Sequence, residues 1–155
     1  MELAEILPEK AVIACSGIKS KRELLEVLAA RAAELTGQDG DAIFEALNQR
    51  EQLGSTGLGN GIAVPHGKFA GLGDVVAVFA RLDHAVDFDA LDDEPVDIAV
   101  MLLAPMGAGA DHLKALAKVA RVLRTESLVE DLRRTSDPAE LHAILSRPLA
   151  STQAA

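Results

Sequence analysis

The residues best suited to chemistry in this 155-residue chain are gathered at 50–68, between Arg50 and Lys68. Four of the twelve glycines fall between Gly54 and Gly61 (Gly54, Gly57, Gly59 and Gly61) beside Ser55 and Thr56, and the run then turns apolar at Ile62, Ala63 and Val64. It ends on Pro65, His66 and Gly67. Proline fixes its own φ and pushes the residue before it towards an extended conformation. The expected local shape is a short strand with His66 at its end and Gly67 turning sharply away. A neutral imidazole is a competent nucleophile near pH 7. Loop N–H groups and hydroxyls such as those of Ser55 and Thr56 can donate to anionic oxygens. A guanidinium such as Arg50 can hold an anion through two bonds. Phosphoryl transfer asks little more than in-line positioning and donors for three equatorial oxygens, and needs no metal in this scheme. No Walker-type Gly-Lys-Ser/Thr is present, which argues against direct use of ATP. The bland alternatives are a histidine used for packing in a turn and an arginine that complements a helix dipole.

These residues need elements to hold them. Residues 12–14 read as a short buried strand after a lead-in over 1–10. Ser20 with Glu23 forms a capping box, and the helix it opens carries Leu24, Leu25, Leu28, Ala32 and Leu35 on one face before Gly37 stops it. Asp39 or Asp41 starts a second helix with Ile43, Phe44 and Leu47 inward and Arg50 in its last turn. Residues 74–82 form a strand apolar enough to be buried on both faces. The acidic connection 83–97 lacks the ligand spacing of a calcium loop and reads as a solvated turn. Residues 96–103 form a second central strand, closed by Pro105 and Gly107. The next helix places Leu113, Leu116, Ala120 and Leu123 on one face and is followed by a short helix around 128–132. Asp137 and Pro138 open the last helix, with Leu141, Ile144 and Leu145 buried. The result is an α/β domain, a helix–sheet–helix sandwich, spanning 1–146 as a single unit without repeat or linker, with a flexible C-terminal tail at 147–155.

Composition narrows the function classes. The chain is 49% apolar but only 3% aromatic, with no Trp or Tyr, so its core must be aliphatic. A net charge of −9 argues against non-specific binding to nucleic acid or anionic membrane; by itself it reads as acidity for solubility, with a partner of basic docking face as the sharper alternative. Cys15 is the only cysteine, which excludes an intramolecular disulfide; in its apolar run it reads as a buried, inert thiol. His84 and His142 read as surface residues, and no His pair has zinc spacing. The N-terminus lacks a secretory basic region, and the longest largely apolar run, 98–106, is too short for a membrane helix. A cytoplasmic, stand-alone protein without membrane insertion is the expectation.

The runs Gly54-Ser55-Thr56-Gly57 and Gly61-Ile62-Ala63-Val64-Pro65-His66-Gly67 closely resemble the signature of enzyme IIA domains of the fructose, mannitol and nitrogen-regulatory class. These belong to the bacterial phosphoenolpyruvate-dependent phosphotransferase system. The resemblance extends over nearly the whole chain and implies a mixed, roughly five-stranded sheet with helices on both faces. It implies that His66 accepts a phosphoryl group through Nε2, with Nδ1 held by a hydrogen bond. The family's second histidine, at the start of the helix after the last long strand, matches His112. Arg50 and His112 would be auxiliaries, Ser55 and Thr56 would bind phosphate, and no cofactor is implied. A local donor at the helix start is the alternative role for His112, and a solvated loop lysine is the alternative to Lys68 adding charge beside the phosphate.

The segment Val86-Asp87-Phe88-Asp89-Ala90-Leu91-Asp92, with Pro95-Val96-Asp97, resembles the nitrogen-regulatory branch more than the sugar branches. An HPr-like phosphocarrier of the nitrogen branch is then the implied donor. The implied targets are regulatory: potassium-transport regulators, sensor kinases, and enzymes of nitrogen or stringent control. A sugar-specific IIA component serving a separate IIB protein is one alternative, and a non-catalytic interaction module is another.

Overall fold

The computed structural model describes residues 3–147. The elements, in order, are α1 (Leu3–Ile6), a 3-10 turn (Glu9–Ala11), β1 (Val12–Cys15), α2 (Lys21–Thr36) and α3 (Gly40–Gln52). Then come β2 (Gly57–Gly59), β3 (Ile62–Ala63), β4 (His66–Phe69), β5 (Val76–Val86) and β6 (Val96–Pro105). Three helices close the chain: α4 (Gly109–Leu123), α5 (Glu126–Arg133) and α6 (Pro138–Leu145). The strands form one mixed sheet in the order β1-β5-β6-β3-β2, with β4 also on β6. β5 runs antiparallel to β6, whereas β1 is parallel to β5, and both β3 and β4 are parallel to β6.

Helices cover both faces, which is why β6 is apolar almost throughout rather than alternating. Ile98, Val100 and Leu102 enter a core shared with α1, α4, α5 and α6. Ala99, Met101 and Leu103 enter a second core with α2 and α3. Local signals fix the helix ends. The Ser20 hydroxyl accepts the Glu23 N–H at 3.1 Å, and Glu23 returns to the Lys19 N–H at 2.6 Å, one residue before the box expected from sequence. Gly37, at φ 76°, stops α2 in the left-handed region. Asp137 caps α6, with Pro138 at its start.

Several expectations need correction. The chain does not turn at Gly67. Partner numbers in β3 and β4 keep one constant offset along β6, from Ile62 opposite Ile98 to Phe69 opposite Pro105. The two are one strand interrupted at Val64 and Pro65, and the Leu102 N–H bonds the Pro65 carbonyl across the gap at 2.9 Å. Pairing with a central strand outweighs the local turn signal of Pro and Gly. At Gly67 an added Cβ would lie 3.6 Å from the Ala46 carbonyl oxygen of α3, an ordinary contact.

The acidic connection is not simply solvated. β5 continues to Val86 through a register shift after Arg81, and Val86, Phe88 and Ala90 point inward in alternation. The intervening carboxylates serve the backbone: Asp87 accepts the Asp89 N–H and Asp92 the Glu94 N–H, both at 3.0 Å. His142 is half-buried rather than a surface residue, because its Nε2 lies 3.1 Å from the Leu7 carbonyl. Cys15 is also half-buried, and burial pushes its thiol pKa up. The expected tail falls outside the described residues except for Arg147, which pairs with Asp131 at 2.9 Å. No described helix is long and apolar enough to cross a membrane.

The correction that matters most for chemistry concerns α4. Its buried residues are His112, Ala115, Val119, Val122 and Leu123, while Leu113 is exposed. The face turned to the sheet therefore lies about one residue earlier than the stripe of Leu113, Leu116 and Ala120. Small and β-branched side chains meet the sheet closely, and this rotation carries His112 inward.

Candidate functional site

His66 opens β4, directly opposite Leu102. By the two-residue alternation of a strand it shares the face of Val64 and Leu102, the face that α4 covers. Its Nδ1 lies 2.8 Å from the Val64 carbonyl oxygen. A carbonyl can only accept, so Nδ1 carries the proton, and in the neutral ring Nε2 holds the free lone pair. The ring is half-buried.

The fourth residue of α4 is His112, whose N–H bonds the Ala108 carbonyl at 2.8 Å. Its ring meets that of His66 edge to face, with centroids 5.6 Å apart and planes 72° from parallel. The residue is only 7% exposed, and its Nε2 is buried without a hydrogen-bond partner. Burial first, then the charges of His66 and Lys68, hold its pKa below the ordinary imidazole value. His112 is therefore neutral near pH 7. Lys68, two residues beyond His66 on the same strand, is exposed and close enough to act on His112.

The remaining residues expected at the site are engaged within the protein. Arg50 ends α3, in the layer across the sheet from α4, and its Nη1 donates to the Gly54 carbonyl at 2.9 Å. It hydrogen-bonds neither histidine. The Ser55 hydroxyl donates to the Phe88 carbonyl at 3.1 Å and accepts the Gly57 N–H at 3.1 Å. The Thr56 hydroxyl donates to the Glu51 carboxylate, and the Thr56 N–H donates to the same group at 3.1 Å. A hydroxyl has one proton, so as placed neither Ser55 nor Thr56 has one left for a bound anion. As placed, these side chains brace the loop. The structure thus groups His66, His112 and Lys68, and sets Arg50, Ser55 and Thr56 to bracing the loop between α3 and β3.

Glu51 was missed as part of this region. It is buried beside Thr56, and Lys21 of α2 reaches its Oε1 at 3.0 Å. The signal was available: Ile43, Leu47 and Glu51 recur at helical spacing, and an acid on an apolar stripe asks for a buried partner.

The chain matches the family model "Phosphoenolpyruvate-dependent sugar phosphotransferase system, EIIA 2" over residues 5–147. It is 46% identical over 151 residues to a protein of Bradyrhizobium diazoefficiens named nitrogen regulatory protein, covering 97% of this chain and 99% of that one. The crystal structure of nitrogen regulatory protein IIA-Ntr from Neisseria meningitidis superposes with a TM-score of 0.85 at 38% identity, covering 92% of this chain and 98% of that chain. IIA mannitol from Escherichia coli shares the fold with a TM-score of 0.74 at 21% identity, over 90% of this chain and 98% of that chain. Its α/β architecture and mixed sheet are those of IIA-Ntr. The chain belongs to the EIIA type 2 family of the phosphotransferase system, a family of phosphotransferase components, and within it to the nitrogen regulatory proteins.

Proposed function

We propose that this protein is a phosphorelay regulator that accepts a phosphoryl group on Nε2 of His66 from a phosphohistidine carrier of the nitrogen branch, and controls partner proteins by its phosphorylation state. One observation carries this reading: the hydrogen bond from His66 Nδ1 to the Val64 carbonyl, which leaves the lone pair on Nε2. The new N–P bond forms at Nε2 as the carrier's N–P bond breaks. The carrier's imidazole, protonated on its other nitrogen, leaves neutral with the bonding pair, and His66, which keeps its Nδ1–H, takes over the positive ring charge together with the phosphoryl group.

His112 and Lys68 are placed to meet the charge that arrives. The unpaired Nε2 of His112 can donate to a phosphoryl oxygen when its ring carries the proton there, and its lowered pKa keeps it from adding charge of its own. The Lys68 ammonium supplies the positive charge. Arg50 would join them by releasing Gly54 when a phosphorylated donor docks. The readout is electrostatic: up to about two negative charges on a half-buried ring favour or break docking without refolding. The implied partners are the regulatory targets of the family rather than a membrane permease.

Intact mass tests this reading, using phosphoenolpyruvate, enzyme I and the cognate carrier on wild type and His66→Ala. One acid-labile phosphate on wild type and none on the variant is the expected result. No incorporation from an active donor, or incorporation that survives in His66→Ala, overturns it.

A further inference from the structure

We infer that Glu51 is a positioning residue for His66, acting through Thr56 and Val64 to hold the reactive tautomer; this rests on His66 being the phosphoryl acceptor. The Glu51 side chain is only 2% exposed, at a place where an apolar residue would continue the Ile43–Leu47 stripe of α3. A carboxylate is costly in such a place unless its oxygens are matched. Here they are: Lys21 and the Thr56 N–H meet Oε1, and the Thr56 hydroxyl meets Oε2.

Thr56 is thus gripped twice, and what it does next reaches the site. Its carbonyl accepts the Val64 N–H at 3.0 Å, and the Val64 carbonyl accepts His66 Nδ1–H at 2.8 Å. An unbroken run of hydrogen bonds leads from Lys21 on α2 through Glu51, Thr56 and Val64 to the imidazole.

The weak point of that run is the peptide between Val64 and Pro65. Proline has no N–H, so this peptide group cannot be oriented by a donor of its own. Its carbonyl direction depends on the bonds on either side: Val64 N–H to Thr56, and the Pro65 carbonyl to Leu102. If Thr56 loses Glu51, the Val64 carbonyl swings and the Nδ1–H bond bends. The ring then populates the form protonated at Nε2, which has no lone pair to attack phosphorus. Arg50 on Gly54 and Ser55 on Phe88 brace the same loop but touch neither Thr56 nor Val64 through their side chains.

The test uses the full chain with Glu51→Gln, and with Thr56→Val and Thr56→Ser as a second pair should the first variant fold poorly. Two quantities are read: the His66 tautomer by ring nitrogen-15 shifts above the imidazole titration range, and single-turnover phosphorylation against carrier concentration. Wild type should show Nδ1–H alone. Glu51→Gln and Thr56→Val should show mixed tautomers and a saturating rate about 10- to 100-fold lower. The half-saturating carrier concentration and the final single phosphate should not change. Thr56→Ser, which restores the hydroxyl, should recover most of the loss. A folded Glu51→Gln or Thr56→Val with the wild-type tautomer overturns the inference, whatever its rate, and so does a wild-type rate. The tautomer is read without phosphate, so a failure of the relay itself shows separately, as a wild type that takes up none.

Discussion

The ring of His112 stands edge-on to that of His66, 5.6 Å between centroids, and the burial that puts it there also keeps it uncharged. Its Nε2 faces no partner within the protein. A buried nitrogen left unpaired costs roughly 1–3 kcal/mol, a cost that an apolar residue of similar shape does not carry. His112→Leu should therefore leave the fold at least as stable as wild type, gaining about 1 kcal/mol in urea unfolding. In single-turnover assays the same variant should transfer phosphate about 100-fold more slowly, the usual effect of removing one donor to a developing anion. A variant that is less stable and transfers normally would give His112 a packing role instead.

The depressed pKa of His112 sets the sign of a pH effect on stability. Below about pH 6.5 the unfolded chain takes up a proton at this position, while the folded protein resists it because of burial and the charges of His66 and Lys68. The contribution is present in full above the unfolded value and is lost as pH falls from there through the lower folded value. Wild type should therefore lose more unfolding free energy than His112→Leu between pH 7.5 and pH 5. Parallel pH profiles for the two proteins would contradict this.

Gly61 is the glycine under the tightest constraint. It sits at φ 83°, and a Cβ there would lie 2.6 Å from Nη2 of Arg133. That guanidinium holds Asp97 at 2.8 Å and the Asn60 carbonyl at 2.7 Å, tying α5 to the turn between β2 and β3. Gly61→Ala should cost about 2–3 kcal/mol by denaturant unfolding, from strain and the displaced ion pair together. In an Arg133→Ala background the clash with the guanidinium vanishes while the contact with Asp97 Oδ1 at 3.1 Å remains, so the double mutant should be more stable than the sum of the single costs.

Gly67 should behave in the opposite way. It lies inside β4 without a positive φ, and an added Cβ meets only ordinary contacts with Ala46. Gly67→Ala should be neutral or stabilising by up to about 1 kcal/mol, through the loss of unfolded-state freedom. Were Gly67 a left-handed turn, the same change would destabilise by more than that.

The helices were readable because their signals are local. Ser20, Gly37 and the Asp137-Pro138 start act within one turn of the ends they define, and the structure uses each of them. β6 was readable because a strand buried on both faces has no polar alternation. Motif reading also singled out His66 and His112, which the fold then placed together although they lie far apart in the chain. The rotation of α4 was not readable. Two overlapping stripes, one through Leu113 and one through His112, fit the same helical period, and only packing against β6 selects between them.

Other features depend on contacts between residues remote in sequence. Local signals at Pro65 and Gly67 favour a turn, and the constant register with β6 overrides them. The Ser55 hydroxyl is taken by Phe88, thirty-three residues on. Glu51 finds its counter-charge only in Lys21, which α2 brings from thirty residues away. Residue types and short spacings thus named the two histidines that meet in the fold and the elements that carry them. Which face of α4 turns inward, what takes the Ser55 hydroxyl and which cation meets Glu51 were decided by tertiary packing, because each depends on a partner whose position local sequence does not encode.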